Sequence, residues 1–210
     1  RREMLTRLLV EEFACQGIVN RSDVAVRGLE GLPAEKGVIY GTVPETVLMR
    51  EGQLELAVNL LEGQKTGAFL DQRENHIVAG RYARGLVLDC FSYVGGFALQ
   101  MARRADHVTA IDSSEPACEQ IRANVGRNKL GNVEVLCANV FEFLRAEVDA
   151  GKQYDTIVLD PPAFARNKAA RDASLRGYKE INLRAMQLLR PGGYLISSSC
   201  SHHVDEEHFE

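Results

Sequence analysis

The chain has 210 residues, 45% of them hydrophobic and 26% charged, with a formal net charge of −4 and a pI near 5.8. This is enough apolar material for one sizeable core or two small ones, and it argues against binding nucleic acid by bulk positive charge, leaving room only for a local basic patch. No run approaches the ~18–20 apolar residues of a membrane span, and no secretory signal pattern opens the chain.

Five cysteines, at 15, 90, 118, 137 and 200, are odd in number and form no CxxC pair. Cys90, Cys118 and Cys137 lie in or beside apolar runs and read as small core hydrophobes. A reducing, cytoplasmic setting fits them better than a disulfide framework. The chain starts at Arg1 and stops at Glu210, just after a strand and a charged stretch, which reads as a fragment of something longer.

Residues 3–15 carry Leu5, Leu8, Leu9 and Phe13 at helical spacing, and Gly17 ends the pattern. "IVNRSDVAVR" then reads as extended, and "GVIYGTV" as a second extended run. "TVLMREGQLELAVNL" reads as a hairpin turning at Glu51-Gly52, with Leu54, Leu56 and Val58 on one face. These elements predict a small α+β domain over 1–62. "LEGQKTGAFLDQR" is polar and has no clear period, so a second domain is placed at 63–210. Its first element is a helix, "ENHIVAGRYAR", ending before Gly85.

From residue 86 strands and helices alternate. "LVLDCF", "HVTAID", "VEVLCA", "YDTIVLD" and "GGYLISSSC" read as strands. "GGFALQMARR", "EPACEQIRANVGRN", "VFEFLRAEV" and "LRGYKEINLRAMQLL" read as the helices between them. Five alternating units predict an α/β fold with a mostly parallel sheet covered on both faces. Ligands of such sheets bind outside the carboxyl ends of the strands. The polar residues at those exits are Asp89, Asp112, Asn139, Asp160 and Cys200.

The first exit, "DCFSYVGGF", places a carboxylate before a glycine pair. It lacks the third glycine of a dinucleotide fingerprint, which disfavours an NAD-type oxidoreductase. S-adenosylmethionine (SAM) carries a sulfonium and an ammonium and no phosphate, so Asp89 would attract it where it would repel a pyrophosphate. Asp112 suits two ribose hydroxyls. Asn139 suits either an adenine amino group or the N-cap of the following helix. SAM is therefore the expected cofactor, with Asp89, Phe91, Tyr93, Gly95, Gly96, Phe97, Asp112, Ser113, Asn139 and Asp160 as candidate contacts. Phe91 and Phe97 read equally well as core packing. No metal site is expected.

If the fourth strand lies beside the first and the fifth beside the fourth, Asp160 and Cys200 emerge together. A thiolate adding to carbon 6 of a pyrimidine activates carbon 5 for methylation, and a neighbouring acid can hold the base edge. Cys200 and Asp160 are the candidate catalytic residues; a buried thiol ending its strand, or a polar cluster with Ser197, Ser198 and Ser199, is the alternative for Cys200. His202 and His203 adjoin the thiol.

At these residues the chain resembles the SAM-dependent 23S ribosomal RNA 5-methylcytosine methyltransferases of the RlmI type. The resemblance rests on "GQKTGAFLDQREN", "LDCFSYVGGFAL", "NVFEFL", "LDPPAF", "RGYKEIN" and "LRPGGYLISSSCS", over about residues 37–210. It implies a class I (Rossmann-like) methyltransferase domain behind a small β-rich domain. It also implies a preceding RNA-binding PUA domain and a closing strand pair, neither of which is seen in this sequence. It assigns the nucleophile to Cys200, the motif acid to Asp160 and the ribose acid to Asp112, and adds Lys65 and Arg73 at the same cleft. Relatives usually carry Asp at position 139, so the Asn keeps an acceptor and loses the charge. The implied substrate is ribosomal RNA. The basic segment 165–179 is expected to touch it, through Arg166, Lys168 and a base stacked on Tyr178. A solvated loop and helix face is the alternative for that segment. Methylation of an RNA nitrogen and a non-catalytic SAM-binding RNA module are the competing functions, and homodimerisation is left open.

Overall fold

A computed structural model of the chain describes residues 1–24, 26–63, 67–164 and 171–201. By its internal contacts the chain separates into one unit of Arg1–Met49 with Ala57–Leu70 and another of Arg50–Leu56 with Asp71–Glu210.

In the first unit, α1 (Arg2–Phe13) is a regular helix that ends at Ala14, whose backbone turns left-handed (φ 47°) and whose N–H donates to the Val10 carbonyl. Leu5, Leu8, Leu9 and Phe13 hold the expected helical spacing, yet no residue of α1 is buried. β1 (Gly17–Ser22) pairs antiparallel with β2 (Glu35–Gly41). The extended reading of 18–27 holds only to Ser22, because Arg21 folds back onto Asp23 (3.0 Å) and a short helix, α2 (Val26–Leu29), follows. β3 (Val47–Glu51) and β4 (Leu54–Val58), whose residues Arg50–Leu56 belong to the second unit, form the predicted hairpin, with Leu54, Leu56 and Val58 buried.

The second unit contains α3 (Arg73–Tyr82) and then five strands alternating with four helices. The strands are β5 (Leu86–Cys90), β6 (His107–Asp112), β7 (Val133–Cys137), β8 (Tyr154–Leu159) and β9 (Leu189–Ser197). The helices between them are α4 (Gly96–Ala102), α5 (Glu115–Arg127), α6 (Val140–Asp149) and α7 (Arg171–Leu188). All four strand pairings are parallel, in the order β7-β6-β5-β8-β9. The order reverses at β5, which opens a crevice between the carboxyl ends of β5 and its neighbours.

The central strands read as unbroken apolar runs because both of their faces are covered. On one face Leu88, Cys90, Ile157 and Leu159 pack with Val140 and Leu144 of α6 and Ile181, Ala185 and Leu188 of α7. The other face is covered by α4 and α5, with Leu99, Met101 and Ile121 at 0% exposure. Each such side chain contributes about 1.5–3 kcal/mol by leaving water. Helix starts follow their local signals. Ser114 caps α5 through Ala117 N, and Asn139 caps α6 through Phe141 N (2.9 Å) and Glu142 N (3.3 Å). No helix among the described residues is long and apolar enough to cross a membrane.

Candidate active site

The segment from β5 to α4 is tightly wound. Phe91 (φ 65°), Tyr93 (φ 51°) and Gly95 (φ 87°) are all left-handed within five residues. Such backbone is costly for Phe and Tyr and gathers at functional loops. Hydrogen bonds hold it in place: Ser92 N donates to Ile111 O (3.0 Å), Gly95 N to Ser92 O (2.8 Å) and Tyr93 N to Asp112 Oδ2 (3.0 Å).

Asp89 lies beneath this loop with 0% exposure. Its Oδ2 accepts from the Ser92 hydroxyl and from Ala98 N (3.0 Å) in the first turn of α4. Its Oδ1 is buried with no hydrogen-bond partner among the described residues. Burial pushes the carboxyl up to about 7, and the Ser92 hydrogen bond and the charge of His76 only partly oppose this. A buried carboxylate oxygen without a donor is what an ammonium-bearing ligand would satisfy.

Asp112 closes β6 and is partly exposed. Each of its oxygens accepts one backbone N–H, Oδ2 from Tyr93 and Oδ1 from Ser114 (2.9 Å). A carboxylate has about four acceptor sites, so both oxygens keep capacity for ribose hydroxyls. Ser113 and Asn139 are exposed beside it, and Asn139 already spends its side-chain oxygen on the α6 cap.

The glycine pair divides its work. Gly95 supplies the left-handed turn into α4, and a Cβ there would lie 2.5 Å from Leu99 Cδ1. Gly96 makes room for a side chain of this protein: a Cβ there would lie 2.3 Å from the ring of His76. That ring stands edge-on to Phe97 (4.4 Å, 78°), and Phe97 is itself 7% exposed, so Phe97 packs in the core. His76 Nδ1 meets the fully buried Glu51 carboxylate at 2.9 and 3.1 Å, and Gln100 Nε2 donates to Glu51 O and Oε1 (3.1 and 3.3 Å). Sequence reasoning missed this Glu51–His76–Gln100 network. Glu51 read as a hairpin turn and His76 as one polar position of a helix.

Asp160 and Cys200 leave neighbouring strands. Leu159 of β8 is in register with Ser197 of β9, and Ser198 N donates to Leu159 O (3.0 Å). The Ser198 hydroxyl donates to Asp160 Oδ1, and the exposed Cys200 sulfur lies 3.6 Å from the carbonyl oxygen of Pro161. Ser198 counted in the sequence only as one of a serine cluster at Cys200, and its bond to Asp160 was not foreseen. The serine run around Cys200 was its only signal.

Three of the other thiols sit where the thiolate is disfavoured. Cys90 and Cys118 are buried, which pushes both thiols up. Cys137 corrects the core reading. It ends the edge strand β7, so it is exposed, and the hydrogen bond to the Glu115 carboxylate pushes it up to about 12.

Tyr178 corrects another expectation. It is 3% exposed, its ring packs on Phe164 (4.8 Å), and its hydroxyl bonds Ser201 Oγ (2.9 Å). A base cannot stack on a ring enclosed in this way; Tyr178 instead anchors the chain just after Cys200. Phe164 also touches Phe91 (6.2 Å) and Phe141 (5.8 Å), so the loop after Asp160 rests on an aromatic cluster. Arg73 opens α3, exposed and paired with its neighbour Glu74 (3.0 Å). Lys65, Arg166, Lys168, His202 and His203 lie outside the described residues.

Residues 73–199, more than half of the chain, match the family model described as Conserved hypothetical protein 95. The chain is 44% identical over 205 residues to the Ribosomal RNA large subunit methyltransferase I of Shewanella amazonensis, covering 95% of this chain and 52% of that protein. It is 41% identical to the protein of the same name from Aliivibrio fischeri, covering 100% of this chain and 54% of the other. The chain thus spans about half the length of these curated relatives. Among solved structures, a chain named SMU.776, described as a methyltransferase complexed with SAH, superposes with a TM-score of 0.72 at 28% identity, over 83% of this chain and 47% of that one. A chain from Streptococcus mutans, described as a SAM-dependent methyltransferase, shares the fold with a TM-score of 0.81 at 23% identity, over 99% and 54%. The sheet is accordingly the Rossmann-like one of class I methyltransferases, and the chain belongs to the family described as Conserved hypothetical protein 95, with RlmI-type ribosomal RNA methyltransferases among its relatives.

Proposed function

We propose that the chain carries the catalytic part of a SAM-dependent methyltransferase acting on carbon 5 of a cytosine in large-subunit ribosomal RNA. The observation that carries the reading is the exposed Cys200 sulfur set against the Asp160–Pro161 exit, one strand from Asp89 and its loop. The residues suit SAM. The Asp89 oxygen without a donor answers an ammonium and Asp112 answers ribose hydroxyls, while Asn139, its oxygen committed to the α6 cap, stands exposed beside them. When bound, SAM supplies an electrophilic methyl group.

The chain's own residues prepare the base to receive it. Cys200 sulfur bonds to carbon 6 as the carbon 5–carbon 6 π pair shifts to carbon 5, making that carbon nucleophilic. Asp160 holds the base edge and supports a proton at the ring nitrogen as charge builds there. Ser198 fixes Asp160 Oδ1, and Oδ2 accepts no hydrogen bond among the described residues. Once carbon 5 is methylated, a base removes its proton and the sulfur–carbon 6 bond breaks, restoring the double bond and the thiolate.

The test is a 5-fluorocytosine RNA incubated with the protein and SAM. Fluorine blocks the final proton loss, so a covalent protein–RNA adduct is expected and should be absent with Cys200→Ala. Methyl transfer by Cys200→Ala at the wild-type rate would overturn the cysteine chemistry and favour a nitrogen target.

A further inference from the structure

The opposite rim of the sheet, at the amino ends of the strands, carries an aromatic and cationic surface that the site above does not use. Leu189 of β9 pairs with Tyr154 and Tyr194 with Thr156, so the intervening residues 190–193 bulge from the edge strand. The bulge presents Arg190 and leads into Tyr194, which is 40% exposed. The Tyr194 ring meets Tyr82 of α3, 49% exposed, at 5.1 Å and 62°. The Arg84 guanidinium stacks over the Tyr194 ring at 4.8 Å and donates to the Gly192 carbonyl. Two half-exposed rings are thus held rigid by each other and by a cation.

More charge adjoins them. Arg104 donates to the carbonyl of Arg81, next to Tyr82, and Arg103 lies beside Arg104; all three are exposed. Arg190 pairs with Asp155 (2.8 Å), which also accepts from Leu86 N. Asp106 is a second acid there, joined by its N–H to Gly85 O (2.8 Å). Five arginines against two aspartates leave a local excess of three positive charges on a chain whose net charge is −4. Aromatic faces interleaved with arginine are the chemistry that holds single-stranded RNA, by stacking bases and neutralising phosphates.

We propose that the Tyr82–Arg84–Tyr194 surface holds a single-stranded segment of the RNA, on the rim of the sheet opposite Cys200. This rests on the RNA reading above and adds a second contact to it, one that positions the substrate and takes no part in the chemistry.

The experiment is fluorescence anisotropy of an unstructured labelled RNA of about 20 nucleotides with the whole chain, as a function of salt. Tyr194→Ala should weaken binding by roughly tenfold or more, the loss of one stacked base, and Tyr194→Phe should restore it. Arg81→Gln with Arg104→Gln should lower the slope of log affinity against log salt by about 1.4, at ~0.7 per phosphate contact on a single strand. SAM affinity should stay at the wild-type value in each variant. RNA binding by the wild type that all the variants retain would overturn the surface and leave the RNA reading standing. Absence of RNA binding by the wild type would sink the RNA reading and the surface together. Poly-glutamate bound as tightly as RNA, with the same dependence on the variants, would overturn the assignment in favour of an acidic protein partner.

Discussion

Asp89→Asn tests the physics beneath the candidate cofactor loop. Asp89 is fully buried, with one oxygen hydrogen-bonded and the other bare, and burial raises its carboxyl from the ordinary 3.8 to about 7. The unfolded chain loses this proton near pH 4 and the folded chain holds it to about pH 7. The stability from this group is therefore complete below about pH 4 and is lost as the pH rises through 7. At ~1.4 kcal/mol per tenfold, the whole span is about 4 kcal/mol. In the variant the amide oxygen keeps the bonds from Ser92 and Ala98, and its NH2 takes the place of the bare oxygen, an unmet donor costing about 1–3 kcal/mol. At pH 8 the variant should therefore be more stable than the wild type by about 1–3 kcal/mol. That advantage should shrink by about 2–3 kcal/mol on going to pH 5, where the wild-type carboxyl is protonated in the folded state. Urea denaturation of both proteins between pH 5 and pH 8, compared at constant m, measures the difference free of every other titrating group. A difference that stays level across that range, or grows toward acid, would refute the assignment of a buried, donor-poor carboxyl. SAM titration of the same variant should show weaker binding, because the carboxylate proposed to meet the cofactor's ammonium is gone.

Two further outcomes follow from the same region. Gly96→Ala drives a methyl group to within 2.3 Å of the His76 ring, so it should destabilise by about 1–3 kcal/mol as an overpacked core does, read as a lower urea midpoint with weaker SAM binding. Asn139→Ala removes the α6 cap and should cost about 1 kcal/mol in the same denaturation series; an added loss of SAM affinity in calorimetry would mean that the side chain also meets the adenine.

Much of this site was readable because its signals are local. A carboxylate at the end of an apolar run, a proline pair after Asp160 and a serine-flanked cysteine are each visible within ten residues, and a regular strand–helix alternation predicts the order in which they emerge. Other features were not local. Glu51 and His76 are 25 residues apart, and nothing near either says that one carboxylate and one ring meet beside Gly96. Tyr178 and Tyr194 are both tyrosines in amphipathic elements. The first packs into the core and the second stands exposed, and which ring is available depends on which element packs against which.

The sequence by itself determined the parallel α/β layout, the residue types at each strand exit and the inventory of reactive side chains, since period and composition act over short stretches. Only the tertiary structure decided that the glycine at 96 serves a histidine, that Cys137 faces water and that Tyr178 does not. Those outcomes depend on burial, and burial is set by the strand order and by helices that meet only once the sheet has closed over its core.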